Sequence, residues 1–156
     1  MGFSAKTITK TNISIKDIQK SLKNTVIKVG VPKSKGAKIH DESDISIATV
    51  AMVNEFGSPA RGIPERSFVR STVQAEEKNI KKLFQQETKK VIAVTQTTKN
   101  MMGLVGEYTS GQIKKTIVAL KTPANADSTV ASKGSSNPLV DTGQLLQSIT
   151  YEVVDD

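Results

Sequence analysis

The chain has no cysteine, no tryptophan and a single histidine, His40, which sits in a polar stretch. Lack of cysteine excludes disulfides and thiolate chemistry and is compatible with a reducing compartment. One histidine among lysines and carboxylates falls short of a metal site, which needs several convergent ligands, so His40 reads as a surface loop residue. Aromatics are 4% and apolar residues 37% of 156 residues. That is thin material for a dense core, and an extended or partner-assisted fold is expected. No run approaches membrane-spanning length, and residues 1–10 carry no apolar block of the signal-peptide kind. A soluble, cytosolic product with no membrane partner is expected.

What is present is positive charge. A net +7 and a pI near 9.6 favour polyanions or acidic surfaces, or else serve solubility alone. The length suits one domain over 1–156, with residues 1–12 as an N-terminal arm.

The pattern along the chain predicts an α+β fold: a small antiparallel sheet packed against long helices, with a mobile loop before a C-terminal helix and strand. Residues 14–23 form a short amphipathic helix, with Ser14 and Asp17 spaced as a capping box and Ile15, Ile18 and Leu22 on one face. Residues 25–32 are the clearest strand, with Ile27, Val29 and Val31 on one side. Residues 33–42 read as a polar loop without phosphate-binding spacing. A helix over 45–56 follows, capped by Asp44, with Ile45, Ala48, Met52 and Phe56 as its buried stripe beside Ala51.

The stretch from 51 to 70 organises the rest. Gly57 stops the helix, Pro59, Gly62 and Pro64 keep the connection irregular, and Pro64 suits the first turn of the next helix. Arg61, Arg66 and Arg70 lie beside Glu55 and Glu65. The long helix is expected from 65 to about 94, with Val69, Val73, Ile80, Leu83, Phe84, Val91 and Val94 as its apolar line. Thirty such residues span about 45 Å. Lys78, Lys81, Lys82, Lys89 and Lys90 occupy its other face, a solvated surface or one that meets phosphate. A further helix covers 99–120, lined by Met101, Leu104, Val105, Tyr108, Ile113, Ile117 and Leu120. Gly103, Gly106 and Gly111 weaken it or admit close helix–helix approach. Residues 121–137 read as a mobile loop. In 138–150, Asp141 or Thr142 caps a short helix with Leu145, Leu146 and Ile149 inside, and 150–154 pairs with the first strand.

Chemistry is scarce. There is no GxSxG elbow, His40 is a poor general base, and Asp41, Glu42 and Asp44 lack EF-hand spacing. No enzyme activity and no cofactor are expected. Nucleic acid is a competing partner, because the lysine face can neutralise phosphates. No recognition helix or aromatic platform accompanies it, and Glu76, Glu77 and Glu87 interrupt it, so any DNA contact is sequence-independent.

Two stretches, IATVAMVNEFGSPARGIPERSFVR and NPLVDTGQLLQSITYEV, together resemble the tailed-bacteriophage neck and tail-completion proteins, also described as head–tail joining, virion morphogenesis, tail terminator or minor tail proteins. The resemblance rests on Glu55-Phe56-Gly57, on Pro64, Arg66 and Phe68, and on Leu139-Val140-Asp141-Thr142-Gly143 with Leu145. Where the family often has Ala-Arg-Pro-Phe, this chain has Glu65-Arg66-Ser67-Phe68. The resemblance implies a non-catalytic structural virion protein in a homo-oligomeric ring, sixfold to match a tail. Such a ring sits at the head–tail junction after assembly in the host cytoplasm. Implied partners are other neck, connector or tail-tube proteins and, through the lysines, genomic DNA in the channel. The expected subunit contacts are Glu55, Phe56, Gly57, Arg61, Pro64, Arg66, Phe68, Arg70, Leu139, Asp141, Thr142, Gly143 and Leu145, with Glu55 and Arg66 pairing within a subunit or to a neighbour.

Overall fold

The computed structural model describes residues 14–39, 44–126, 129–131, 137–140 and 142–155. His40, Asp41 and Glu42, the expected arm over 1–12 and most of 127–136 lie outside the described residues.

The architecture is α+β. Helix α1 (Ile15–Asn24) leads directly into strand β1 (Thr25–Gly30). Its start is the expected capping box: Ser14 Oγ accepts the Asp17 N–H at 3.2 Å, and Asp17 accepts the Ser14 N–H at 3.1 Å. Ile18 is buried and Leu22 packs beside it. Ile15, in the first turn, is 75% exposed and does not join that face. Strand β1 pairs antiparallel with β2 (Thr150–Asp155), setting Ile27 opposite Val153 and Val29 opposite Tyr151.

The strand ends at Gly30, and part of the expected polar loop is instead a single helical turn, α2 (Lys33–Gly36). The Pro32 carbonyl accepts the N–H groups of Lys35 and Gly36. A methyl group on Gly36 would lie 3.0 Å from the Ala48 Cβ, so α2 sits close on α3 (Ile47–Phe56). Helix α3 is capped by Ser46, whose Oγ accepts the Thr49 N–H, and not by Asp44. Its buried face also differs from the expected stripe. Ile47 and Glu55 are buried with Ala51 between them, while Ile45, Met52 and Phe56 are exposed. These positions recur every fourth residue, one helical step away from the predicted line.

Gly57 ends α3 at φ 73° and ψ 175°, an extended left-hand conformation open essentially only to glycine. A Cβ there would also stand 2.8 Å from the Glu65 nitrogen. A small loop follows, closed by mutual Ser58 and Ile63 backbone bonds around the 3-10 turn Pro59–Arg61. Residues 64–69 are not helical. Helix α4 runs Arg70–Ile92, so Pro64 lies upstream of its first turn and not within it.

Helices α4 and α5 (Thr98–Ala119) form an antiparallel hairpin. Hydrogen bonds join Thr72 to Thr116, Tyr108 to Glu76, and Thr88 to the Met101 sulfur. The turn between them is held by Glu87, which is buried and accepts from Lys90 and Gln96. Val94 lies in that turn with φ 57°, so the apolar line of α4 stops at Val91. Val73 and Phe84 remain partly exposed.

Helix α5 reaches both apolar clusters. Ile113 and Ile117 join Ile47, Phe68, Leu139, Leu145 and Ile149. Met101 and Met102 join Ile18 and Val91, with Ile27 and Val153 of the sheet packed on. Gly103 and Gly106 of α5 face a strand, not a second helix: a Cβ on Gly106 would stand 2.5 Å from the Tyr151 ring, while one on Gly111 would meet nothing within 4 Å. The last helix, α6 (Gln144–Ser148), has Gly143 in the left-handed conformation at its N-cap position, one residue beyond Thr142. Asp141 lies outside the described residues.

Candidate assembly site

Helix α4 begins at a residue that cannot cap it. Val69 holds the N-cap position and offers no side-chain acceptor for the first-turn N–H groups, and the Ser71 N–H turns to the Ser67 Oγ at 3.3 Å. Glu55, from the last turn of α3, takes the Arg70 N–H and the two N–H groups just ahead of it. Its Oε2 accepts the N–H of Phe68 at 2.8 Å and of Val69 at 2.9 Å, and its Oε1 accepts the Arg70 N–H at 3.0 Å. The Ser67 hydroxyl and the Arg70 Nε complete the shell at 2.8 and 3.0 Å. A carboxylate at a helix N-terminus also meets the positive end of the helix dipole.

Burial pushes the Glu55 carboxyl up. The N–H groups of Val69 and Arg70, the Ser67 hydroxyl and the Phe68 N–H outweigh that effect and hold it below the ordinary carboxylate value. Arg70 is locked in return. Its Nη2 donates to the Glu55 carbonyl and to Glu65, both at 2.8 Å, and its guanidinium lies 4.6 Å from the centre of the Phe56 ring. The hydrogen bond to Glu55 leads the causes that raise its pKa.

Arg66 does not pair with Glu55. Its N–H binds the Asn54 carbonyl at 2.7 Å, which directs the side chain elsewhere. The buried guanidinium donates through Nε to the Pro123 carbonyl and through Nη2 to the Ala124 carbonyl, each at 2.8 Å. Burial draws its pKa down, and no carboxylate among the described residues lies within ion-pair distance of it. The start of the loop expected to be mobile is thereby tied to the segment before α4. Its far end is fixed by Asn137, which accepts from Leu139 and Val140 and donates to the Val118 carbonyl.

The expected contact residues therefore divide. Glu55, Arg66, Phe68, Leu139 and Leu145 are buried and hold the fold together, so their side chains do not present a contact surface. Phe68, Leu139 and Leu145 share one cluster, which brings the two motif stretches together. Phe56, Arg61, Pro64, Arg70 and Thr142 are exposed, with Gly57 and Gly143 half-buried at turns. The sequence reading missed Ser67 and the capping role of Glu55. The available signal was a helix start lacking Ser, Thr, Asp or Asn.

The lysine face also divides. Lys81 pairs with Glu77 and Lys90 with Glu87. Lys78, Lys82 and Lys89 are exposed with no ion pair among the described residues. Among the described residues no group of three His, Cys, Asp or Glu is placed to hold a metal ion, and no helix is long and apolar enough to cross a membrane. No protein-family model, curated protein or solved structure matches the chain.

Proposed function

We propose that the chain is a structural virion protein of a tailed bacteriophage, a neck or tail-completion subunit that closes into a ring at the head–tail junction. The observation that carries this reading is the convergence of its two motif stretches. Phe68 of the first and Leu139 and Leu145 of the second share one small core, braced by the Glu55 cap. That construction gives a corner whose outer residues, Phe56, Arg61, Pro64, Arg70 and Thr142, are exposed to a neighbour. A head-to-tail contact that closes produces a ring, with sixfold symmetry matching a tail. The buried carboxylates Glu55 and Glu87 are each spent on backbone or side-chain donors of the fold, which agrees with a role without catalysis.

The test is to find the chain by mass spectrometry in purified phage particles and to place it by antibody labelling in electron micrographs. Label at the neck is expected; particles that lack the chain overturn the reading.

A second reading, a small basic accessory protein that binds DNA without sequence preference, rests on Lys78, Lys82 and Lys89. A salt titration separates the two. A DNA binder loses affinity steeply between low and moderate salt, whereas a ring subunit assembles with rising concentration and binds DNA weakly.

A further inference from the structure

The outer face of α3 exposes apolar side chains on a strongly basic chain. The helix IATVAMVNEF has one charged residue, Glu55, and that residue is turned inward onto the start of α4. What remains outside is Met52 and Phe56, 59% and 58% exposed, with Ala48 and Thr49. Beside them runs a groove of about 300 Å³, floored by Val31, Ala51, Phe68, Val69 and Ile149. The charged residues lining it, Glu55 and Arg70, are paired with each other.

We propose that this face joins two copies of the chain in solution, as a two-fold pair in which Met52 and Phe56 of each copy seat in the groove of the other. Charge decides the occupant. At net +7, two copies repel unless they meet where charge is absent or cancelled. Exposed faces of α1, α4 and α5 carry Lys16 and Lys20, Lys78 and Lys82, and Lys99 and Lys115 respectively. Laying any of these on the α3 face would strip water from an ammonium group with no carboxylate to receive it. The α3 face meets a second α3 face without that cost. Shape points the same way. A two-fold contact needs a self-complementary surface, and here the exposed Met52 and Phe56 stand on the wall of the groove itself, so one patch carries both the side chains and the recess. The depletion of charge matches the core of protein interfaces, where Met and Phe are enriched.

Phe56 and Arg70 also belong to the surface proposed for ring contacts, so the pair describes the free chain before assembly. It stands even if the virion reading fails.

The test is sedimentation velocity on the full chain across a concentration series, with Met52→Glu as the decisive variant. Because Met52 is exposed, Met52→Glu is expected to keep the wild-type circular dichroism spectrum and melting curve. The wild type is expected to pass from monomer to dimer, more readily as salt screens the net charge. Met52→Glu is expected to weaken the dimer by at least about tenfold. The chain has no cysteine, so Met52→Cys gives a clean reporter, and a short bis-maleimide is expected to link it into pairs. A wild type that remains monomeric overturns the proposal. So does association that Met52→Glu leaves intact, assembly into rings without a dimer, or failure of Met52→Cys to link.

Discussion

The Glu55 carboxylate and the main-chain N–H of Phe68 lie 2.8 Å apart across an intervening loop, with both residues buried. One oxygen pair thus caps α4, orients Arg70, and fixes the aromatic ring around which Leu139 and Leu145 pack. The corner between α3 and α4 is held by a side chain that belongs to neither the loop nor the helix it caps.

Glu55→Ala removes this cap and leaves several donors facing a void. It is expected to destabilise the fold by about 3 kcal/mol, the range for breaking a buried polar network. Glu55→Gln keeps the shape and loses the charge, and its effect should depend on pH. The folded-state pKa lies below the ordinary value, so the unfolded chain binds the proton more readily. The stabilisation is complete above the unfolded pKa of about 4.3 and is lost as pH falls through the folded value. Urea melts between neutral and acid pH should converge for wild type and Glu55→Gln at the acid end. Curves that stay parallel would show that the charge is not the stabilising element.

Two glycines of α5 should respond in opposite directions. A methyl group on Gly106 meets the Tyr151 ring, whereas one on Gly111 meets nothing within 4 Å. Gly106→Ala is expected to cost about 1–3 kcal/mol through overpacking. Gly111→Ala is expected to gain up to about 1 kcal/mol of helix propensity. Thermal melts of the two variants check this, and a Gly106→Ala loss that disappears in a Tyr151→Ala background would trace it to the ring.

The parts of this fold readable in the sequence are those with local causes. Ser14 and Asp17 announce α1, and the β-branched residues of β1 and β2 announce their pairing. The start of α4 escapes a local reading because Pro64-Glu65 has the proline and the acidic residue that suit a first turn, while the actual cap comes from another helix. The buried face of α3 escapes it for the same reason. Glu55 counts as polar in any periodicity, yet here it is the residue most completely used inside, and Met52 and Phe56 lie outside in consequence. Within the candidate site, the two motif stretches stand out in the sequence, but their shared core and the partners of Arg66 do not, since neither a long-range apolar contact nor a backbone carbonyl carries a sequence signature.

The DNA-binding reading makes its own prediction about the lysines. Lys78, Lys82 and Lys89 lack carboxylate partners among the described residues, while Lys81 is paired with Glu77. If the chain binds phosphate through this face, changing the first three to alanine should lower the slope of log affinity against log salt. The expected decrease is about 0.9 for each phosphate no longer neutralised. Lys81→Ala should change it least. Fluorescence anisotropy with a labelled duplex measures the slopes, and equal effects at all positions would point to net charge alone.

Arg66 carries the last prediction because its role is tethering. Its guanidinium spans the carbonyls of Pro123 and Ala124, a geometry that a planar fork satisfies and a lysine ammonium does not. Arg66→Lys keeps the charge and loses one of the two bonds, for an expected cost of about 1–2 kcal/mol. The local consequence should exceed the global one. Lys121 is exposed beside the tethered residues, and release of 121–126 gives a protease room to bind there. Brief trypsin treatment, read by mass spectrometry, is expected to nick the variant after Lys121 several-fold faster than wild type, with cleavage at Lys78 and Lys82 in α4 little changed. Uniform acceleration at all sites would mean that Arg66 supports overall stability and does not hold the loop in place.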